Sequence, residues 1–184
     1  MDLTVNNEVL LEEMLAARER RVFLQNTLTE KYNTTLISFT LNIPGPVKVF
    51  EGIPEVFDGG YSEILRTLSD SGIAALHEYV IREKTGYEAF IAADASPLTI
   101  KRLMTRLEDG SSIGRLYDID IIKLDGSKVS REELGLPCRT CLICGQPAHA
   151  CSRSRNHSVE ELVAYIKKMI SEAHPGSDKG GTDL

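Results

Sequence analysis

The sequence predicts one α+β domain in which helices pack on a mostly antiparallel or mixed sheet. Three observations carry this. Short runs alternate apolar and polar residues at period two. Longer stretches repeat at helical spacing behind recognisable N-cap signals. The chain has 184 residues, 42% hydrophobic and 26% charged, which suits one domain with a proper core.

In chain order, Asn7 to about Tyr32 reads as a helix of strong helix formers without Gly or Pro, with Leu10, Met14, Leu24 and Leu28 supplying part of its apolar stripe. Arg18 and Arg21, three apart, share a face that can meet an anion or a carboxylate. Leu36 to Ile43 alternates cleanly, placing Ile37 and Phe39 on one face and Ser38, Thr40 and Asn42 on the other. Pro44-Gly45-Pro46 ends this strand and leaves Asn42 and Lys48 at a loop mouth. Asp58-Gly59-Gly60 reads as a break before a short helix from Tyr61 to about Leu68.

Leu76 to Glu83 and Tyr87 to Ala93 form two strands about a turn at Lys84-Thr85-Gly86. Ser96-Pro97 opens a helix that runs to about Glu108 and stops at Gly110. Arg115 to Leu124 is a strand turned by Asp125-Gly126 into a hairpin. Ser130-Arg131-Glu132-Glu133 and Ser158-Val159-Glu160-Glu161 are capping boxes, the second opening a helix with Val159, Leu162, Val163, Ile166, Met169 and Ile170 as its apolar face. The domain is expected over residues 1–174, and 175–184 as a disordered tail of Gly, Ser and Asp.

A net charge of −6 argues against broad nucleic-acid binding. No run reaches the ~20 apolar residues of a membrane helix, and the acidic N-terminus lacks a secretory pattern, so the cytoplasm is expected. Within residues 138–157 the charge reverses: Arg139, Arg153 and Arg155 stand without an acidic residue, a patch suited to phosphate or an acidic partner.

The densest chemistry lies in Gly114-Arg115-Leu116-Tyr117-Asp118-Ile119-Asp120-Ile121-Ile122. On a strand Asp118 and Asp120 point to the same face, their Cα atoms roughly 6–7 Å apart, so both carboxylates reach one divalent ion. Two like charges side by side require a cation, which suggests Mg²⁺ and phosphate chemistry. Gly114 allows close backbone approach and Arg115 is the nearest phosphate clamp, while Asp94 or Glu88 can supply a base or a third ligand. All four cysteines fall within residues 138–151. Cys141 and Cys144 form a ligand-type knuckle, and Cys151 with His157 completes a Cys₃His zinc site, with Cys138 or His149 as alternative ligands.

Taken in order, these blocks resemble the citrate lyase holo-acyl-carrier-protein synthase family, also called apo-citrate lyase phosphoribosyl-dephospho-CoA transferases. The resemblance runs from about Leu10 to Met169 through Leu15-Ala16-Ala17-Arg18-Glu19-Arg20-Arg21, Leu41-Asn42-Ile43-Pro44-Gly45-Pro46-Val47-Lys48, Thr85-Gly86, the acidic strand, Glu133-Leu134-Gly135-Leu136-Pro137, Cys141-Leu142-Ile143-Cys144 and Cys151-Ser152-Arg153-Ser154-Arg155-Asn156-His157-Ser158. It implies a nucleotidyltransferase-like fold and activity. The prosthetic group of citrate lyase would pass from 2′-(5″-triphosphoribosyl)-3′-dephospho-CoA to a serine of the acyl carrier (gamma) subunit, releasing pyrophosphate. It implies Mg²⁺ on Asp118 and Asp120, and the residues themselves add a catalytic Arg115 with weaker substrate contacts from Gly114, Arg18, Arg21, Asn42, Lys48, Arg153 and Arg155. Two other readings stand beside it: a non-catalytic zinc-containing assembly factor of citrate lyase, and a nucleotidyltransferase with another acceptor.

Overall fold

The computed structural model describes residues 7–173, so the expected tail from Pro175 and the first six residues lie outside it. Its elements are α1 (Leu11–Tyr32), β1 (Thr35–Leu41), α2 (Ile53–Asp70), β2 (Ala75–Glu83), β3 (Gly86–Ala93), α3 (Pro97–Gly110), β4 (Tyr117–Ile122), α4 (Ala148–Ser154) and α5 (Val159–Ala173). Single 3₁₀ turns occupy Ile113–Leu116 and Glu132–Leu134. The four strands form one sheet in the order β2-β3-β1-β4, and every pairing is antiparallel. This is the expected α+β domain, with the sheet antiparallel throughout.

The period-two pattern of β1 divides the core. Ile37 and Phe39 join Ile91, Ile119 and Ile121 on one face, where α2, α3 and α5 bury Phe57, Ile64, Met104 and Ile166 against them. On the other face a smaller cluster gathers Leu36, Phe90 and Ile122 beneath Leu28 and Leu24 of α1. Of the stripe expected on α1, Leu28 is buried and Leu24 packs on this cluster, while Leu10 is over half exposed. The residues α1 does bury include Gln25 and Thr29, a polar inward face.

Asp58-Gly59-Gly60 does not interrupt the chain. α2 begins at Ile53 and runs through both glycines, because Ile53, Val56, Phe57, Ile64 and Leu68 share one apolar stripe that outweighs the low helix propensity of glycine. Gly60 lies where α2 crosses the sheet: a Cβ there would stand 2.7 Å from Phe39 and 2.8 Å from Tyr117. Gly60→Ala is therefore expected to cost about 1–3 kcal/mol by overpacking. Urea denaturation would show this as a lower midpoint with an unchanged slope.

β4 is an edge strand, and its open side is closed by side chains in place of a fifth strand. Glu108 of α3 accepts the Ile119 N–H at 3.0 Å, and the buried Lys101 donates to the Ile119 carbonyl at 3.1 Å. Arg139 donates to the Tyr117 carbonyl at 2.7 Å, and the Val129 N–H to that of Ile121 at 2.9 Å. The strand stops at Ile122, two residues short of expectation. Beyond it the Asp125-Gly126 turn returns only a single bridge between Ile122 and Lys128. Both capping boxes are present, Ser130 with Glu133 and Ser158 with Glu161.

Candidate functional site

The register places three carboxylates and two hydroxyls on one face of the sheet. Asp118 lies opposite Thr40 and Asp120 opposite Ser38, while on the other side of β1 Thr40 lies opposite Glu88. With neighbouring strands about 4.8 Å apart, Glu88, Thr40 and Asp118 form a row across three strands. Asp94 is excluded from it: it follows Ala93, six residues or roughly 20 Å along β3.

The inward polar face of α1 meets this row. Arg21 donates from Nε to Glu88 at 2.8 Å, and Gln25 donates to the Ser38 hydroxyl at 3.0 Å. Glu88 is 1% exposed, and its second oxygen is buried without a hydrogen-bond partner among the described residues. Arg18, one turn before Arg21, acts electrostatically on Lys48, whose ammonium donates to the Ile43 carbonyl at 2.6 Å. Burial, and then the repulsion of Arg18, hold the Lys48 amine below its ordinary value. Two cations pressed together at the end of an acidic row favour a polyanion.

Asp118 and Asp120 are both partly exposed on this face. Burial and the neighbouring Asp120 raise the Asp118 carboxyl above its ordinary value, against the opposing pull of Arg139, whose Nη1 lies 3.7 Å away. Lys128 sits 2.5 Å from Asp120. The sign follows from the raised value: Asp118 favours folding fully below the ordinary 3.8, and that contribution is lost as pH rises through its folded value. Asp118→Asn should thus melt higher than the parent at pH 7, modestly because the carboxylate is half exposed, with the gap closing towards pH 3.8. Equal melting curves at both pH values would contradict it.

Gly114 is buried, and a Cβ there would come within 2.1 Å of the Leu107 carbonyl oxygen, so the glycine permits a close approach to α3. Arg115 donates from one nitrogen, Nη2, to the carbonyls of Thr140 and Cys141, at 2.9 and 3.3 Å. It ties the cysteine-rich segment to the start of β4. Arg139 does the same from the opposite side, donating to the Arg115 and Tyr117 carbonyls.

Within that segment Cys141, Cys144, Cys151 and His157 bring one ligand atom each to within 4.8 Å of one another, a cluster able to bind a metal such as zinc. The Cys144 and Cys151 sulfurs are 3.8 Å apart, and tetrahedral zinc with bonds of about 2.3 Å sets sulfurs about 3.8 Å apart. His157 Nε2 is buried with no hydrogen-bond partner among the described residues. Burial opposes ionisation of the Cys141 thiol, yet the N–H groups of Cys144 and Ile143 hold it below the usual value. The donor set therefore fits the metal. Cys138 is exposed and lies outside the cluster, as does His149.

Between this segment and α5 opens a cavity of about 1020 Å³, lined by Asn42, Arg115, Arg139 and Arg155 among others. Arg153 is exposed on α4, outside the cavity lining. Among the described residues, no helix is long and apolar enough to cross a membrane.

Comparison with known proteins agrees with the resemblance. The family model described as apo-citrate lyase phosphoribosyl-dephospho-CoA transferase matches residues 9–173. A protein of Vibrio cholerae named a probable apo-citrate lyase phosphoribosyl-dephospho-CoA transferase is 38% identical, over 89% of this chain and 93% of its own. A protein of the same name from Streptococcus pyogenes is 37% identical over 88% and 85%, and the Citrobacter koseri transferase 30% identical over 90% of each chain.

Proposed function

Because the chain belongs to the apo-citrate lyase phosphoribosyl-dephospho-CoA transferase family, we propose that it transfers the phosphoribosyl-dephospho-CoA group to a serine of the citrate lyase acyl carrier subunit. The observation that carries a catalytic reading is the acidic row met by the inward polar stripe of α1. A helix that buries Gln25 and directs Arg21 at a buried glutamate, leaving Leu11, Leu15 and Val22 exposed, gives up packing for a polar floor. A merely solvated sheet face would not require this.

In the reaction the serine oxygen bonds to the α-phosphorus of the donor triphosphate, the bond to pyrophosphate breaks, and the serine proton leaves to a base. Asp118 and Asp120 would hold Mg²⁺, which supplies neutralisation of charge on the triphosphate. Asp118 is pushed towards protonation by burial and by Asp120, so the pair would favour a bound divalent cation. Arg18 and Lys48 bind phosphate oxygens, and Arg21 fixes Glu88 as the third carboxylate of the row. Arg139 restrains Asp118 from the edge of β4. The Cys₃His cluster serves as a structural zinc site that fixes residues 138–157 against that edge. Such a carrier-modifying enzyme works in the cytoplasm, beside its substrate.

The test is direct. Chain, apo-carrier subunit, triphosphoribosyl-dephospho-CoA and Mg²⁺ are incubated together and the carrier is weighed by mass spectrometry. The carrier should gain one prosthetic group with release of one pyrophosphate. An unmodified carrier under conditions where a family transferase modifies it would sink the reading.

A further inference from the structure

The cavity between α5 and the cysteine-rich segment is not accounted for by the acidic row. At about 1020 Å³ it lies at the upper end of sites that enclose a cofactor-sized molecule, far beyond the needs of a triphosphate. One wall is apolar, with Leu162 and Ile166 from α5 and Leu142 from the knuckle. The charged lining is unbalanced. Glu108 and Asp109 share Arg131, at 2.8 and 2.9 Å, which leaves one negative charge among them against the three positive charges of Arg115, Arg139 and Arg155.

Arg115 and Arg139 each give one guanidinium nitrogen, Nη2, to backbone carbonyls. Arg155 lines the cavity with them, and its guanidinium, among the described residues, has no acceptor. Arg155 ends α4 as its left-handed cap, with φ at 50°. Arg139 joins the two places. It lines the cavity and stands 3.7 Å from Asp118, so the acidic row and the cavity adjoin at this side chain.

We infer that this cavity holds the dephospho-CoA part of the donor, with its diphosphate on Arg155 and its organic arm along Leu162 and Ile166. The assignment rests on the proposed transferase reading, which supplies the donor class. An anionic diphosphate flanked by a long, weakly polar arm is the ligand that one unpaired arginine beside an aliphatic wall accommodates.

The experiment measures equilibrium binding of 3′-dephospho-CoA, which lacks the triphosphoribosyl group, to the full zinc-loaded chain. Leu162→Trp fills the cavity and Arg155→Gln removes the cation. Each should weaken dephospho-CoA binding roughly tenfold, while Mg²⁺-pyrophosphate binding and zinc content stay at the parent's values. Affinity within about twofold of the parent in the folded variants would overturn the assignment, as would no binding to the parent. Should Leu162→Trp not fold, Arg155→Gln decides by the same criterion. The two readings fail separately. A parent that modifies the carrier, with variants that bind dephospho-CoA unaltered, removes the cavity assignment alone. A parent that binds dephospho-CoA in the cavity but never modifies the carrier removes the transferase alone.

Discussion

Replacing Asp118 and Asp120 together by asparagine should leave a folded protein whose transfer rate falls by on the order of 10³-fold. The magnitude follows from the several kcal/mol that a divalent cation contributes to a transition state for phosphoryl transfer. The fold should survive because neither side chain belongs to the core: both are partly exposed, and their neighbours Tyr117, Ile119 and Ile121 carry the packing of β4. Removing the two charges also relieves the repulsion that raises Asp118. Carrier modification followed by mass spectrometry, beside a melting curve and Mg²⁺ titration, separates the outcomes. Transfer within about tenfold of the parent would remove the metal role from this pair.

The second large effect concerns zinc. Purified without chelators, the chain should carry one zinc ion, and Cys151→Ser or Cys141→Ser should lose it. Residues 138–157 bury few side chains besides Cys141 and Cys151, so little else holds the segment folded. Its loss would free Arg115 and Arg139 from the knuckle and from β4, uncovering the Tyr117 carbonyl and withdrawing the cation beside Asp118. Supporting groups of this kind are worth about 10–100-fold, and transfer should fall by that much even though no proposed ligand of Mg²⁺ has been altered. Cys138→Ser is the internal control: exposed and outside the cluster, it should keep both zinc and activity. Retention of a full equivalent of zinc by Cys151→Ser would refute the site.

Local pattern read the strands well because a strand's side-chain period belongs to the backbone itself. The same-face placement of Asp118 and Asp120, the division of β1 into an Ile37–Phe39 face and a Ser38–Thr40 face, and the turn before Gly86 all follow from period two. The capping boxes at Ser130 and Ser158 were legible for a similar reason, since the bonded groups are three residues apart. The candidate metal ligands were legible as a group, and distance alone separated Cys141, Cys144, Cys151 and His157 from Cys138 and His149. Local reading failed at Gly59-Gly60, where the apolar stripe of α2 and the close approach to Phe39 and Tyr117 override glycine's preference. It failed too at α4, a seven-residue helix too short and too polar to announce itself.

The candidate site shows the same limit. Glu88 and Asp94 were equal candidates along the chain, and only the registers of β3 and β4 against β1 place one beside Asp118 and the other far from it. Arg139 drew attention only as part of a basic patch, and Arg115 as a phosphate clamp. Their bonds to carbonyls across the edge of β4 cannot be read from spacing, because the partners lie some twenty residues away.

The sequence by itself determined the α+β class, the acidic pair with its shared face, the cysteine-rich segment with its candidate ligands and the family, all properties of local period, spacing and ordered motifs. Tertiary structure alone decided which residues stand together at the candidate site. Strand register chose Glu88, the orientation of α1 turned its polar stripe towards the sheet, and the uncovered edge of β4 drew in Arg139, Lys101 and Glu108. The physical reason is that buried polar groups and unpaired backbone must be satisfied by whatever the fold brings near.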